Sequence, residues 1–279
     1  MNHIKKNIEN FWYHKKQKTN FLLLCILYPL SCVFAIICYV RKIILCKLAQ
    51  PIPVPVVVIG NITTGGSGKT RLCLFMAQEL ANNNHKIGII MRGYGGSNKR
   101  PKLVQENDLA EIVGDEALIY ARHHFPVVCA TSRYQAAMYL LDMHPDTTII
   151  IADDGLQHYW LQRKFEICVI DEIRLFGNGY LLPLGPLREH KNRLKTVDAV
   201  FIQTAMFNSS TQLIKARTII NKFNPNIFIQ KFVFNGLHNP VTGTNNIDVL
   251  KNNIYIISAL GDNERFTKYA KSVIDIPHA

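Results

Sequence analysis

From residue 54 onward, short runs of Val and Ile alternate with longer stretches whose apolar residues recur at helical spacing. VPVVVIG (54–60), KIGIIMRG (86–93), FPVVCA (125–130), TTIIIADD (147–154), EICVID (166–171), DAVFIQT (198–204), IFIQKFVF (227–234) and NIYIISAL (253–260) read as strands. RLCLFMAQELANN (71–83), GDEALIYARHH (114–124) and RYQAAMYLLD (133–142) read as the helices between them. Strands that are apolar on both faces, separated by helices, predict an α/β fold with a mostly parallel sheet and helices on both faces. In such sheets ligands sit beyond the carboxyl ends of the strands. TTGGSGKT, RGYGG and DDGLQH all follow strand candidates there. PIPVPV (51–56) reads as an extended linker, because each proline presets extended backbone and removes a donor.

The pattern before residue 51 is different. Phe21 to Val40 is a run of twenty residues without a charge, apolar but for Pro29 and Ser31. As a helix it is long enough to cross about 30 Å of hydrocarbon. Lysines and arginines lie on both sides of it, so the positive-inside rule selects no orientation. With Pro29 to break or kink the helix, a shallow or re-entrant insertion into the cytoplasmic leaflet is at least as good a reading as a span. A secretory signal fits poorly, since no small-residue cleavage site follows.

Length and charge sharpen this picture. The 279 residues suffice for one sizeable domain with an appendage. Of the formal net charge of +12, the first fifty residues contribute seven: eight lysines and arginines stand against Glu9 alone. Basic residues flanking an apolar run, with no nucleic-acid motif, point to anionic lipid rather than to nucleic acid. The seven cysteines form no CxxC pair, which argues against a zinc site or a disulfide framework.

The candidate chemistry begins at VVVIGNITTGGSGKT, Val56 to Thr70. Glycines let backbone N–H groups close around phosphates while the following helix presents its positive end. Thr63, Thr64, Gly65, Gly66, Ser67 and Gly68 are the candidate cradle, Lys69 the residue that reaches the β/γ-phosphates, and Thr70 the hydroxyl that holds Mg²⁺. The usual pattern has glycine where this chain has Thr63. Asp153 and Asp154 close an apolar strand, the context of the carboxylate that binds Mg²⁺ directly or through water. Asp115 and Glu116 follow Gly114 at a helix start, where acids serve equally as caps. By residue type alone, His158 is either a loop histidine or a site residue, and Arg92 either a surface cation or a ligand.

GNITTGGSGKT, RGYGG, VGDEALIYAR, DDGLQHYWLQR and FGNGYLLPLGPLRE together resemble the tetraacyldisaccharide 4′-kinase family, the lipid A kinases. YPLSCVFAIICYVRKI resembles that family's N-terminal membrane-docking helix. The resemblance implies transfer of the γ-phosphate of ATP, with Mg²⁺, to the 4′-hydroxyl of a lipid A disaccharide 1-phosphate at the cytoplasmic face of the bacterial inner membrane. It assigns Asp115 as general base, with Lys69, Asp153 and Asp154 as further catalytic groups. Thr70, Asp154 and Glu189 become metal-linked residues, Glu189 alternatively a positioning acid. Arg92, Arg188 and His158 fall on the substrate side. The family's GRDR appears here as TSRY, which keeps Arg133 and loses the acid.

The resemblance also divides the chain into a membrane anchor (1–50), a phosphate-loop kinase core (51–205) and a C-terminal subdomain (206–279) shorter than the family's. The family continues through an FPDH-like segment of which Ile276-Pro277-His278 is a loose echo. One alternative is therefore a relative that binds nucleotide but turns over weakly. A second is a phosphate-loop GTPase, for which the nearest guanine-reading string is NKFN, Asn221 to Asn224.

Overall fold

The computed structural model describes residues 2–13, 21–204, 210–232, 266–267 and 270–271. Among the described residues eight strands form a single sheet: β1 (Val56–Gly60), β2 (Ile87–Met91), β3 (Lys102–Leu103), β4 (Val127–Cys129), β5 (Ile149–Asp153), β6 (Phe165–Asp171), β7 (Ala199–Thr204) and β8 (Ile227–Lys231), in the order β3-β4-β2-β5-β1-β6-β7-β8. Every pairing is parallel except that of β3 with β4. The edge strand β3 is two residues long, too short to leave a periodic signature in sequence. The expected strand at 253–260 and His278 lie outside the described residues.

Alternation along β1 explains why its run is apolar throughout. Val56 and Val58 enter one core with α6 (Arg133–Met143) and α7 (Ser210–Asn221). Val57 and Ile59 face the other, with α3 (Lys69–Asn82), α4 (Ala110–Val113) and α5 (Asp115–Ala121). Burial on both faces removes the solvent side that would have shown as alternation in sequence. The sheet also continues past residue 205: β8 pairs with β7 from Val200↔Ile227 to Thr204↔Lys231. Residues 210–231 therefore extend the sheet of the core.

Two helices precede the sheet, α1 (Asn2–Tyr13) and α2 (Phe21–Lys47). Pro29 sits inside α2 without ending it, so of the break or kink expected there the break does not occur. One narrow face of α2 lies along the body. Ser31 Oγ donates to the carbonyl of Leu181 at 3.0 Å, Cys38 Sγ to that of Arg188 at 3.7 Å, and Lys42 Nζ stands 5.5 Å from the centre of the Tyr159 ring. Small residues at Ser31 and Cys38 allow the close approach. Ile26, Leu30, Val33, Ile37, Val40 and Ile44 form an exposed stripe, with Ile37 57% exposed. Gln50 then joins the linker to the body, donating from its N–H to the Trp160 carbonyl (2.8 Å) and accepting from Gln162 N–H (3.1 Å). Ile52 and Val54 pack on the core while the intervening prolines stay exposed.

Candidate active site

β1 ends between β5 and β6, so the loop that follows it emerges beside the acids that close β5. Ile59 pairs with Asp153 in register, which fixes this neighbourhood through the backbone ladder. The loop runs from Asn61 into α3, and its left-handed positions are Gly65 (φ 101) and Gly68 (φ 73). A Cβ on Gly68 would also lie 2.1 Å from Gln203 Oε1, so the amide end of Gln203 would have to swing aside. Thr63 bridges Leu187 in antiparallel fashion, and Thr64 N–H donates to the Pro186 carbonyl at 2.8 Å. The usual first glycine is thus replaced by a residue in extended pairing, where a side chain costs nothing.

Lys69 opens α3 and its Nζ lies 3.5 Å from Asp154 Oδ1. Arg188 Nη1 approaches the same carboxylate, 3.1 Å from Oδ2 and 3.3 Å from Oδ1. Burial acts to raise the Asp154 carboxyl pKa, but the charges of Lys69 and Arg188 outweigh it and hold the group below the usual range. Asp154 adopts φ 49, a left-handed conformation that non-glycine residues seldom take except Asn, Asp and His. The strand-end turn thereby aims successive acids differently.

Asp153, 2% exposed, turns toward Thr70: Thr70 Oγ1 donates to Asp153 Oδ2 at 3.3 Å. The Tyr120 hydroxyl donates to the same oxygen at 2.7 Å and lies 3.2 Å from the Thr70 carbonyl. Asp153 Oδ1 is buried and has no hydrogen-bond partner among the described residues. Arg133 stands behind the pair, donating from Nη2 to the Asp153 carbonyl at 3.0 Å. Burial lowers its pKa to about 10, so it stays charged at neutral pH. In TSRY, Ser132 caps α6 by accepting from Gln135 N–H, which leaves Arg133 directed at β5.

Asp115 lies at the start of α5, exposed, and accepts from Glu116 N–H at 3.0 Å. The Glu116 carboxyl is pushed up by burial, then by the charge of Asp153, with Lys69 opposing. Through Glu116 the GDE segment is thus electrostatically coupled to Asp153 and Lys69. His158 is half-buried, and desolvation followed by repulsion from Arg133 and Arg41 lowers its pKa to about 3. It is neutral at physiological pH. Arg92 follows β2 as an exposed residue, and its charge reaches both Arg133 and His158. Arg41 extends this basic cluster from α2 and was absent from the sequence expectation.

Glu189 belongs to a neighbouring cluster. It is buried, with Oε1 accepting from Gln157 Nε2 at 2.7 Å and Oε2 from the Tyr159 hydroxyl, while Arg193 Nε lies 3.4 Å from Oε2. Both oxygens are committed to protein donors, which favours the positioning reading over the metal-linked one. Asn224 is equally committed: its amide donates to the carbonyls of Leu194 and Val197, which leaves nothing to read a guanine base. Tyr120, Gln157, Tyr159 and Arg193 were not singled out in sequence. Aromatic and long polar residues within apolar or loop segments look like packing until their partners are known.

A parallel sheet, a glycine loop leading into a helix, and a Lys/Thr pair facing two strand-end aspartates define a phosphate-loop nucleotide-binding protein. A family model described as tetraacyldisaccharide-1-P 4′-kinase matches residues 23–273, and the chain belongs to that family. Tetraacyldisaccharide 4′-kinases of Legionella pneumophila strains Corby and Lens are each 45% identical to it over 198 residues, covering 70% of this chain and 59% of each relative. The matched region thus spans less than two thirds of those relatives' length. The crystal structure of LpxK from Aquifex aeolicus in complex with ATP is similar with a TM-score of 0.69 at 28% identity, covering 88% of this chain and 77% of that one.

Proposed function

We propose that this chain is an ATP-dependent kinase that phosphorylates the 4′-hydroxyl of a lipid A disaccharide 1-phosphate, a step of lipid A biosynthesis, at the cytoplasmic face of the inner membrane. The observation that carries the reading is the double pairing at the end of β5: Lys69 on Asp154 and Thr70 on Asp153, both at the start of α3. The 45% identity to the Legionella kinases supplies the acceptor.

Gly65 to Thr70 bind the phosphates of ATP through backbone N–H groups and the α3 N-terminus, and Lys69 exchanges part of its pairing with Asp154 for the β/γ-phosphates. Thr70 and Asp153 are the residues that would hold Mg²⁺, and Asp153 Oδ1, which lacks a hydrogen-bond partner among the described residues and lies next to a hydroxyl, fits that use. Mg²⁺ held there would supply charge neutralisation to the phosphates during transfer. Asp154 keeps Lys69 and Arg188 in place and stays ionised between them. Asp115, exposed at the mouth, accepts the proton of the sugar hydroxyl, a modest contribution because phosphoryl transfer is largely dissociative. Arg92 and Arg188 attract the anionic acceptor, and neutral His158 offers it a hydrogen bond. Glu189 acts as a positioning acid, fixing the segment that carries Arg188.

Membrane association rests on α2. From Leu24 to Lys47 it has a mean hydropathy of 2.0 with only 6% of its most apolar window buried. A helix docked along its length on a folded body cannot cross a bilayer without drawing that body in, so α2 lies in one leaflet with its exposed stripe in lipid. The test is to incubate the purified chain with ATP, Mg²⁺ and tetraacyldisaccharide 1-phosphate in mixed micelles and look for the 4′-phosphorylated product. Absence of product with intact ATP binding would reduce the chain to a nucleotide-binding relative.

A further inference from the structure

The family match starts at residue 23, yet α1 ends on the phosphate loop itself. The Tyr13 hydroxyl donates to the carbonyl of Thr64 at 3.1 Å. Trp12 Nε1 donates to the Pro183 carbonyl at 3.3 Å, and a Cβ at Gly177 would lie 2.8 Å from the Trp12 carbonyl. The last residues of α1 are therefore wedged between the 177–186 segment and the loop. The Arg174 guanidinium stands 5.3 Å from the centre of the Tyr13 ring, and its Nη1 is 3.2 Å from the place of a Cβ on Gly65. Thr64 is thus held from two sides, by Pro186 through its N–H and by Tyr13 through its carbonyl.

We infer that Tyr13 is a positioning residue of the nucleotide site, which sets the peptide plane between Thr64 and Gly65 and makes phosphate binding depend on the docking of α1. The physical reason is local. Gly65 follows that peptide in a left-handed conformation and Gly66 has no neighbour within 4 Å of its Cβ position. The next peptide is held by the long Asn61 Nδ2 contact to the Gly65 carbonyl at 3.4 Å, which leaves Tyr13 as the hydrogen-bond partner of the Thr64 carbonyl among the described residues. An N–H group that is not aimed in advance must be ordered when the phosphate binds, at a cost to affinity. Burial acts first to raise the Tyr13 pKa, so the phenol remains a donor throughout the physiological range. The inference rests on the phosphate-loop reading of residues 63–70 and adds to it a residue outside the loop.

Tyr13→Phe tests it, since the ring and its contact with Arg174 remain while one donor is lost. Affinity for Mg²⁺–ATP is measured by calorimetry on the full chain, and hydrogen exchange of residues 63–68 is measured without nucleotide. The expected result is an affinity about three- to tenfold weaker, the size of one net hydrogen bond, with faster exchange confined to the loop and an unchanged kcat at saturating ATP. Equal affinity and equal exchange in the two proteins would overturn it. So would a lowered melting temperature with unchanged affinity, which would mark Tyr13 as a packing residue. Faster loop exchange in a protein whose parent binds no ATP would uphold the positioning role and refute the nucleotide reading instead.

Discussion

Tyr120 and Asp153 share a hydrogen bond of 2.7 Å on the carboxylate oxygen that also accepts the Thr70 hydroxyl. Tyr120 is wholly buried, and burial followed by the charges of Cys73 and Asp153 raises its pKa well above normal, so it stays protonated and donates its one hydroxyl proton to the carboxylate. It holds Asp153 in one rotamer and leaves the other oxygen without a hydrogen-bond partner among the described residues. Replacing Tyr120 by Phe should lower kcat about tenfold, raise the Mg²⁺ concentration needed for half-maximal rate, and cost about 1–2 kcal/mol of stability. Magnesium titration of the kinase rate is the check; an unmoved curve would leave Tyr120 a packing residue.

Lys69→Ala removes the one cation that opens α3 and faces Asp154. Turnover should fall by at least about 10²–10³-fold, the range seen when one preorganised electrostatic donor is lost. The melting temperature should change little, because Lys69 is not part of either core. Near-normal turnover in this variant would remove the phosphate loop from the reaction.

The strands and the phosphate loop were legible in sequence because each carries its own signal: β-branched runs for the sheet, glycines and GKT for the loop. What surrounds them was not. Tyr120 sits in EALIYAR at a helical core position, where an aromatic residue gives no sign that its hydroxyl reaches a strand-end acid. Glu189 was visible in PLRE, but its partners Gln157 and Tyr159 lie some thirty residues away, and only folding shows that they use both its oxygens. Thr63 departed from the loop pattern for a reason held by Leu187, again a tertiary neighbour.

His158 links pH to stability. Its folded pKa of about 3 lies below the ordinary 6.5, so on acidification the unfolded chain binds the proton first. Its contribution to stability is unaffected above about pH 6.5 and declines as the pH falls toward about 3. His158→Gln should flatten the fall of melting temperature between pH 7 and pH 4. Superimposable profiles for parent and variant would mean that the imidazole is hydrated in the folded protein.

The exposed stripe of α2 offers a test that spares the site. Ile37→Glu places a charge where the side chain is 57% exposed and makes no core contact. Binding to vesicles containing anionic lipid should weaken by about tenfold or more, since a carboxylate replaces apolar surface in the acyl region. ATP affinity should not change. Unaltered vesicle binding would move the lipid contact to another face.

The docking of α2 at Ser31, Cys38 and Lys42 has a consequence for how acceptor and catalyst meet. An enzyme hung from its membrane helix by a flexible linker sweeps a volume and finds its substrate at the effective concentration that volume allows. Here the linker is stitched at Gln50 and the helix is part of the body, so with α2 in one leaflet as proposed, the phosphate loop would be carried at one height and one tilt above the lipid plane. The encounter would then be a two-dimensional glide, in which a headgroup arrives with its direction already chosen by the bilayer.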